Sequence, residues 1–299
     1  MARKGTATRT ANSPDLRPYL IASLEDGWRR FRKRLKRCQE DFSEKAVHES
    51  RVESRRLLSI FELLGALTVS RRSEPVRRNL KRYLDTFDEL RDTHVQLMFI
   101  AERVVDFPEL RAFRDALRKR ERRCIKRTAR EIRRTKMSAL RRSVQAMARE
   151  LQRPPGAARR TRLSLGRIVR VVERAWARVA ALHRRVDPAN TASIHRVRIA
   201  FKQFRYMIEA VAPLLPGANK RYLERLRTFQ SRMGDLQDAE VLLATVEKFE
   251  SKRKIDAVVA DVFRKELLRR RQRLIQAYLK RAARLDRFWP LARPKNPLP

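Results

Sequence analysis

The stretch that decides the architecture is residues 194–211, IHRVRIAFKQFRYMIEAV. Ile194, Val197, Phe201, Phe204, Ile208 and Val211 step by 3, 4, 3, 4 and 3 residues, the spacing of one apolar seam along an α-helix. His195, Arg198, Lys202 and Arg205 repeat that spacing about 100° further round the helix. A cationic strip about 15 Å long, at about 1.5 Å per residue, therefore runs beside the buried face. No part of the chain shows sustained two-residue alternation, so an all-α protein is expected.

The same pattern occurs earlier. Val47-His48-Glu49-Ser50-Arg51-Val52 matches Ile194-His195-Arg196-Val197-Arg198-Ile199 at an offset of 147 residues. Trp28 lies twenty residues before His48, and Trp176 lies nineteen before His195. Leu90-Arg91-Asp92 with Val95 answers Leu236-Gln237-Asp238 with Val241 at an offset of 146. Three landmarks in one order point to an internal repeat. We expect helices near 15–40, 46–69, 75–105, 108–150, 159–186, 191–213, 218–250 and 254–288, with prolines at the boundaries. The expected organisation is two tandem, pseudo-symmetric four-helix bundles: 14–153 and 159–289 around a linker at 154–158 (Pro154-Pro155-Gly156 within it). A basic tail at 1–13 and a Pro-rich tail at 290–299 are expected to be disordered.

Charge narrows the function. The 299 residues carry 74 Lys+Arg against 34 Asp+Glu, a formal +40, and Arg outnumbers Lys 58 to 16. Codon usage can trade Lys for Arg but does not create so many cations. A folded chain with this imbalance repels itself unless an anion is near, and the Arg fork matches paired phosphate oxygens. With 42% hydrophobic residues a sizeable core is affordable in composition, so wholesale disorder is not expected.

In the first copy His48, Arg51 and Arg55 form the strip, with Arg56 beside it and Leu58 where the second copy has Arg205. Like charges at i and i+4 cost a few tenths of a kcal/mol per pair. A solvated face is the plain reading of such a run. Recurrence at equivalent positions, each copy opening on a histidine, points instead to a polyanion site. Arg29, Arg32 and Lys36 flank the Trp28/Phe31/Leu35 seam, and Arg170, Arg174 and Arg178 form a further stripe, giving secondary candidates. The large aromatics fall on seams and read as core, leaving no platform for base stacking.

Several chemistries are excluded. Seven glycines are too few and too scattered for a dinucleotide fingerprint or P-loop. Cys38 and Cys124 make neither a disulfide framework nor a Cys-based zinc site. No Glu-x-x-His pair supports a di-metal bundle, and Val52 stands where H-E-x-x-H needs its second histidine. Asp92 and Asp238 read as salt-bridging partners of nearby cations. No catalytic residue, cofactor or metal is expected, no uncharged run is long enough to span a bilayer, and the chain reads as soluble and cytoplasmic.

The twice-occurring His-x-x-Arg-x-x-x-(Arg/Lys) helix (His48/Arg51/Arg55 and His195/Arg198/Lys202, continued by Arg205-Tyr206) resembles the conserved histidine α-helical domain (CHAD) family. Leu90-Arg91-Asp92 and Gly234-Asp235-Leu236-Gln237-Asp238 resemble its third-helix motifs. Leu58 and Gln203 depart from the family pattern, where bases are usual. The resemblance implies two pseudo-symmetric bundles, binding of inorganic polyphosphate on a basic surface or cavity, and association with polyphosphate granules. The Glu-x-Glu-x-Lys motif of the CYTH domain that often accompanies this family is absent, so a stand-alone binding protein rather than an enzyme is expected. The alternatives are a non-specific nucleic-acid binder, effective at low salt through +40 of charge, and an enzyme or regulatory partner in phosphate metabolism using His48 and His195. Oligomeric state is left open by these residues.

Overall fold

Why the chain breaks where it does is visible at the helix starts. Pro18 occupies the first turn of α1 (Arg17–Asp41), where its missing N–H costs nothing. Asn190 accepts from the Ala192 N–H to start α8 (Thr191–Val211), Asn219 from the Tyr222 N–H to start α9 (Lys220–Glu250), and Asp256 from Val258 and Val259 to start α10 (Ala257–Ala282). Between them lie α2 (Glu44–Thr68), α3 (Ser73–Thr86), α4 (Asp88–Ala101), α5 (Arg111–Arg134), α6 (Met137–Gln152) and α7 (Leu165–His183). This computed structural model describes residues 15–68, 73–105, 107–135, 137–152, 163–252 and 255–291, and no strand occurs among them. The protein is all-α. The expected tail at 1–13, most of that at 290–299 and the 154–158 linker lie outside the described residues.

Helices α7, α8, α9 and α10 begin 148, 147, 147 and 146 residues after α1, α2, α3 and α5. The first half nevertheless carries six helices where four were expected. The segment expected as one helix over 75–105 is two, parted at Phe87, whose N–H bonds the Leu84 carbonyl at 3.1 Å in a tightened turn. Phe87 is buried against Tyr83, ring centroids 5.1 Å apart. The Arg51 guanidinium also donates to that Leu84 carbonyl at 2.8 Å, which ties α2 to the break. In the second half Gly234 holds the position 147 residues after Phe87, and α9 runs through it unbroken. The expected 108–150 helix also divides, into a short 3₁₀ turn (Pro108–Leu110), α5 and α6, with extended backbone at Thr135 (ψ 116°).

Two apolar cores hold the layers, and each draws on both halves of the chain. The larger takes Phe31, Leu57 and Phe61 from the first half with Val197, Phe201, Phe204 and Leu226 from the second. The smaller joins Ile100, Phe113 and Leu117 to Val246, Phe249 and Phe263. The seam residues Ile194, Val197, Phe201, Phe204, Ile208 and Val211 are all buried, as their spacing requires. Trp28 and Trp176 lie half-buried against the larger core. No helix of the described residues is long and apolar enough to cross a membrane.

Candidate functional site: a cluster of unpaired cations

Helices α2, α4, α9 and α8 close a ring of contacts: α2 on α4, α4 on α9, α9 on α8, and α8 back on α2. The apolar seams of α2 and α8 face the core, so the strip beside each seam turns towards the same space. The two strips meet there. Arg55 on α2 feels the charges of Arg51 and Arg198, and Lys202 on α8 feels Arg55, Arg198, Arg51 and Arg205. Acids enter from the other two helices: Asp88 and Asp92 on α4, Asp235 and Asp238 on α9.

The cations brought together fall into two groups. Arg51, Arg56 and Arg205 are committed within the chain. Arg51 donates to the Leu84 carbonyl and to Asp88 Oδ1 at 2.6 Å. Arg205, buried, donates to Gln230 Oε1 and Glu209 Oε1, both at 2.6 Å, with its guanidinium over the Tyr206 ring. Arg56 pairs with Glu53 and reaches Glu209 Oε2 at 3.4 Å. Arg55, Arg198 and Lys202 differ: none has a hydrogen bond or ion pair among the described residues, and the Nε of Arg198 is buried without a partner. Its guanidinium lies against Gly234, where a Cβ would stand 3.6 Å from Nη2.

Burial and mutual repulsion weaken the charged form of these three. Burial, then Arg51, pushes the Arg55 guanidinium down to about 10, still protonated at neutral pH. Burial lowers Arg198, with Asp238 opposing. Burial, followed by Arg55 and Arg198, holds the Lys202 ammonium well below its usual range. The acids show the converse. Burial raises Asp92 to about 6, with Asp88 and Asp238 adding to the rise against Arg51, and burial raises Asp238 against Arg198. Asp92 and Asp238 were expected to form salt bridges, but no cation of the described residues lies within ion-pair distance of either, so Arg51 and Arg198 act on them only from further off. Asp92 and Asp238, one from each half, sense each other across the cluster.

His48 sits at the exposed end of its strip and His195 is half-buried. Partial desolvation, then Arg91 for His48 and Arg198 for His195, lowers both imidazoles, which are therefore neutral at pH 7 in the free protein. A bound anion reverses the cationic field, so binding takes up protons there. Polyanion affinity is expected to rise several-fold as pH falls from about 7 to about 5.5. The check is the pH profile of affinity in wild type and His195→Gln; coincident profiles would remove His195 from that role.

The secondary candidates lie outside the cluster. Arg29, Arg32 and Lys36 are exposed and line an outer groove of about 680 Å³ between α1 and α6, with Trp28 and Arg141. Arg170, Arg174 and Arg178 are exposed on α7. A larger cationic groove, about 1530 Å³, lies between α9 and α10 with Arg225, Arg232 and Arg284 on its walls. Arg91 was missed by sequence reading. It pairs with Glu44 and lowers His48, yet it stands inside the quoted Leu90-Arg91-Asp92 motif. No group of three or more His, Cys, Asp or Glu among the described residues is placed to hold a metal.

No curated protein matches the chain. Among solved structures, the crystal structure of the CHAD domain from the plant Ricinus communis is similar at a TM-score of 0.73 and 19% identity, covering 95% of this chain and 96% of that one. PptA from Streptomyces chartreusis is similar at a TM-score of 0.65 and 15% identity, covering 91% of this chain and 99% of that one. At these identities the likeness concerns the fold. The CHAD domain family model matches residues 21–247, a span that contains both histidine strips, all of α2, α4 and α8 and all but the last turn of α9, and the chain belongs to the CHAD domain family.

Proposed function

We propose that this protein binds inorganic polyphosphate, with Arg55, Arg198 and Lys202 as the central contacts and His48 and His195 at the ends of the strips. The observation that carries the reading is the gathering of three largely buried cations that no acceptor satisfies. Each is destabilising in the free protein. An anion threading between α2 and α8 supplies the missing acceptors to both strips at once. Arg51, Arg56 and Arg205, tied to Asp88, Glu53 and Glu209, shape the walls and contribute field rather than free donors.

Polyphosphate is favoured over nucleic acid because the rings nearest the cluster, Phe201, Phe204 and Tyr206, are buried. A base-free polymer needs no stacking surface. The reading is one of binding without turnover, and it extends to association with polyphosphate granules. An enzymatic role for His48 and His195 would require phosphate release or polymer shortening that His→Ala abolishes.

The test is competition between long-chain polyphosphate and double-stranded DNA at about 150 mM and about 400 mM salt. Wild type is expected to prefer polyphosphate per phosphate at both salts. Arg198→Ala and Arg55→Ala should each lose about tenfold or more of that preference, since a charge-assisted contact contributes roughly 1.5–3 kcal/mol. Equal competition by DNA, with both variants behaving as wild type, would leave only bulk charge and defeat the proposal.

A further inference from the structure

One end of the molecule differs from the rest. Where the turn after α4 meets the first turns of α10, four apolar side chains stand in solvent: Val105 at 81% exposure, Val258 at 72%, Val262 at 54% and Phe107 at 41%. Val258 and Val262 are one helical turn apart, and the neighbouring Val259 and Phe263 turn inward to the smaller core. The apolar stripe of α10 is thus wider than its own core uses. It forms one wall of a cavity of about 290 Å³, with Phe107 and Leu110 opposite.

The charge of this end is also unlike the remainder. No Lys or Arg lines the cavity, whose charged residues are Glu109 and Glu266. The described residues of 101–116 and 255–268 together hold six acids against five bases, a net −1 in a chain of net +40. The rim carries both signs side by side: Arg103 with Glu266 at 3.3 Å, Arg114 with Asp115 at 3.3 Å, and Lys265 with Asp261 at 2.7 Å. The platform beneath is firm. Phe113 packs edge-on against Phe249 at 5.2 Å and against Phe263 at 6.4 Å, so both halves of the chain support it.

We propose that this end is a self-association surface, on which a second copy of the chain docks with Val258, Val262 and Phe107 at the centre of a two-fold contact. Charge decides the occupant. Two copies of a +40 chain repel through their basic faces, and a near-neutral apolar end is where they can meet. A mixed-sign rim pairs with itself across a two-fold axis, since each acid can face a base of the other copy. An acidic partner would be drawn to the basic faces instead, and a basic partner is repelled by the field of the whole chain. Docking here leaves the α2–α8 cluster of each copy open.

The test needs no polyanion, so it stands apart from the polyphosphate reading. Sedimentation velocity of the full chain at about 0.5 M salt, where the Debye length is only a few ångströms, is expected to show a dimer at tens of micromolar protein. Association should weaken as salt is lowered and the long-range repulsion returns. The double variant Val258→Asp/Val262→Asp, and separately Phe107→Asp on the facing wall, should sediment as monomers with helical content unchanged, because these side chains are exposed in the single chain. A wild type that stays monomeric at every salt overturns the proposal. So does a dimer that survives all three substitutions, which would place the contact on another face.

Discussion

Lys202→Met is expected to make the free protein more stable and to weaken polyphosphate binding at the same time. Lys202 stands among Arg55, Arg198, Arg51 and Arg205, and burial followed by these like charges depresses its pKa strongly. With the folded pKa below the unfolded one, folding works against the charged ammonium, so this residue opposes folding wherever the unfolded chain carries it protonated, neutral pH included. The penalty fades only as pH rises towards the ordinary lysine range. Methionine keeps much of the volume and removes the charge, which should raise stability by about 1–3 kcal/mol, or several degrees in Tm. Binding should fall roughly 10- to 150-fold if the lost contact contributed about 1.5–3 kcal/mol. Lys202→Arg should retain most of the affinity. Thermal melts and titrations on the same preparations decide it. A Met variant that melts lower would mean Lys202 holds the fold together, and one that binds like wild type would remove it from the site.

The opposite result is expected seven residues on, two turns further along α8. Glu209 gathers three arginines: Oε1 accepts from Arg205 at 2.6 Å and from Arg227 at 3.1 Å, and Oε2 from Arg56 at 3.4 Å. Its own side chain is 9% exposed and that of Arg205 is 7% exposed. It thereby ties α8 to α2 and to α9. Glu209→Ala leaves Arg205 buried with Gln230 as its one remaining hydrogen-bond acceptor and no counter-charge, a situation that costs about 3–5 kcal/mol. Glu209→Gln should lose less, because its amide oxygen still accepts a hydrogen bond. Urea unfolding of the two variants beside wild type measures this. A loss under about 1 kcal/mol for Glu209→Ala would mean that water replaces the carboxylate and that the clamp contributes little.

These two residues mark how far sequence reading carried. Arg205 and Lys202 belong to one strip at helical spacing, and the strip itself was legible because an α-helix repeats its faces every 3.6 residues. The Arg205–Glu209 pair was legible in principle as an i, i+4 contact on one helix. The break at Phe87 was not legible. The apolar pattern of Leu80, Leu84 and Leu90 runs on through it, and the Leu84 carbonyl at the break takes a second donor from Arg51, 33 residues away. Asp92 and Asp238 looked like ordinary salt-bridge partners, and only their placement showed them facing cations without pairing.

The amino-acid sequence alone determined the all-α class, the two seams, the cationic strips beside them and the excess charge, because each depends on periodicity within one helix or on counting residues. The tertiary structure decided which cations are free and which end of the molecule is near-neutral. Both depend on where acids distant in the chain come to rest, to within an ångström or two: the first on the packing of α2, α4, α8 and α9, the second on that of α5 and α10. Helical periodicity sets the direction of a side chain; only packing sets its neighbours.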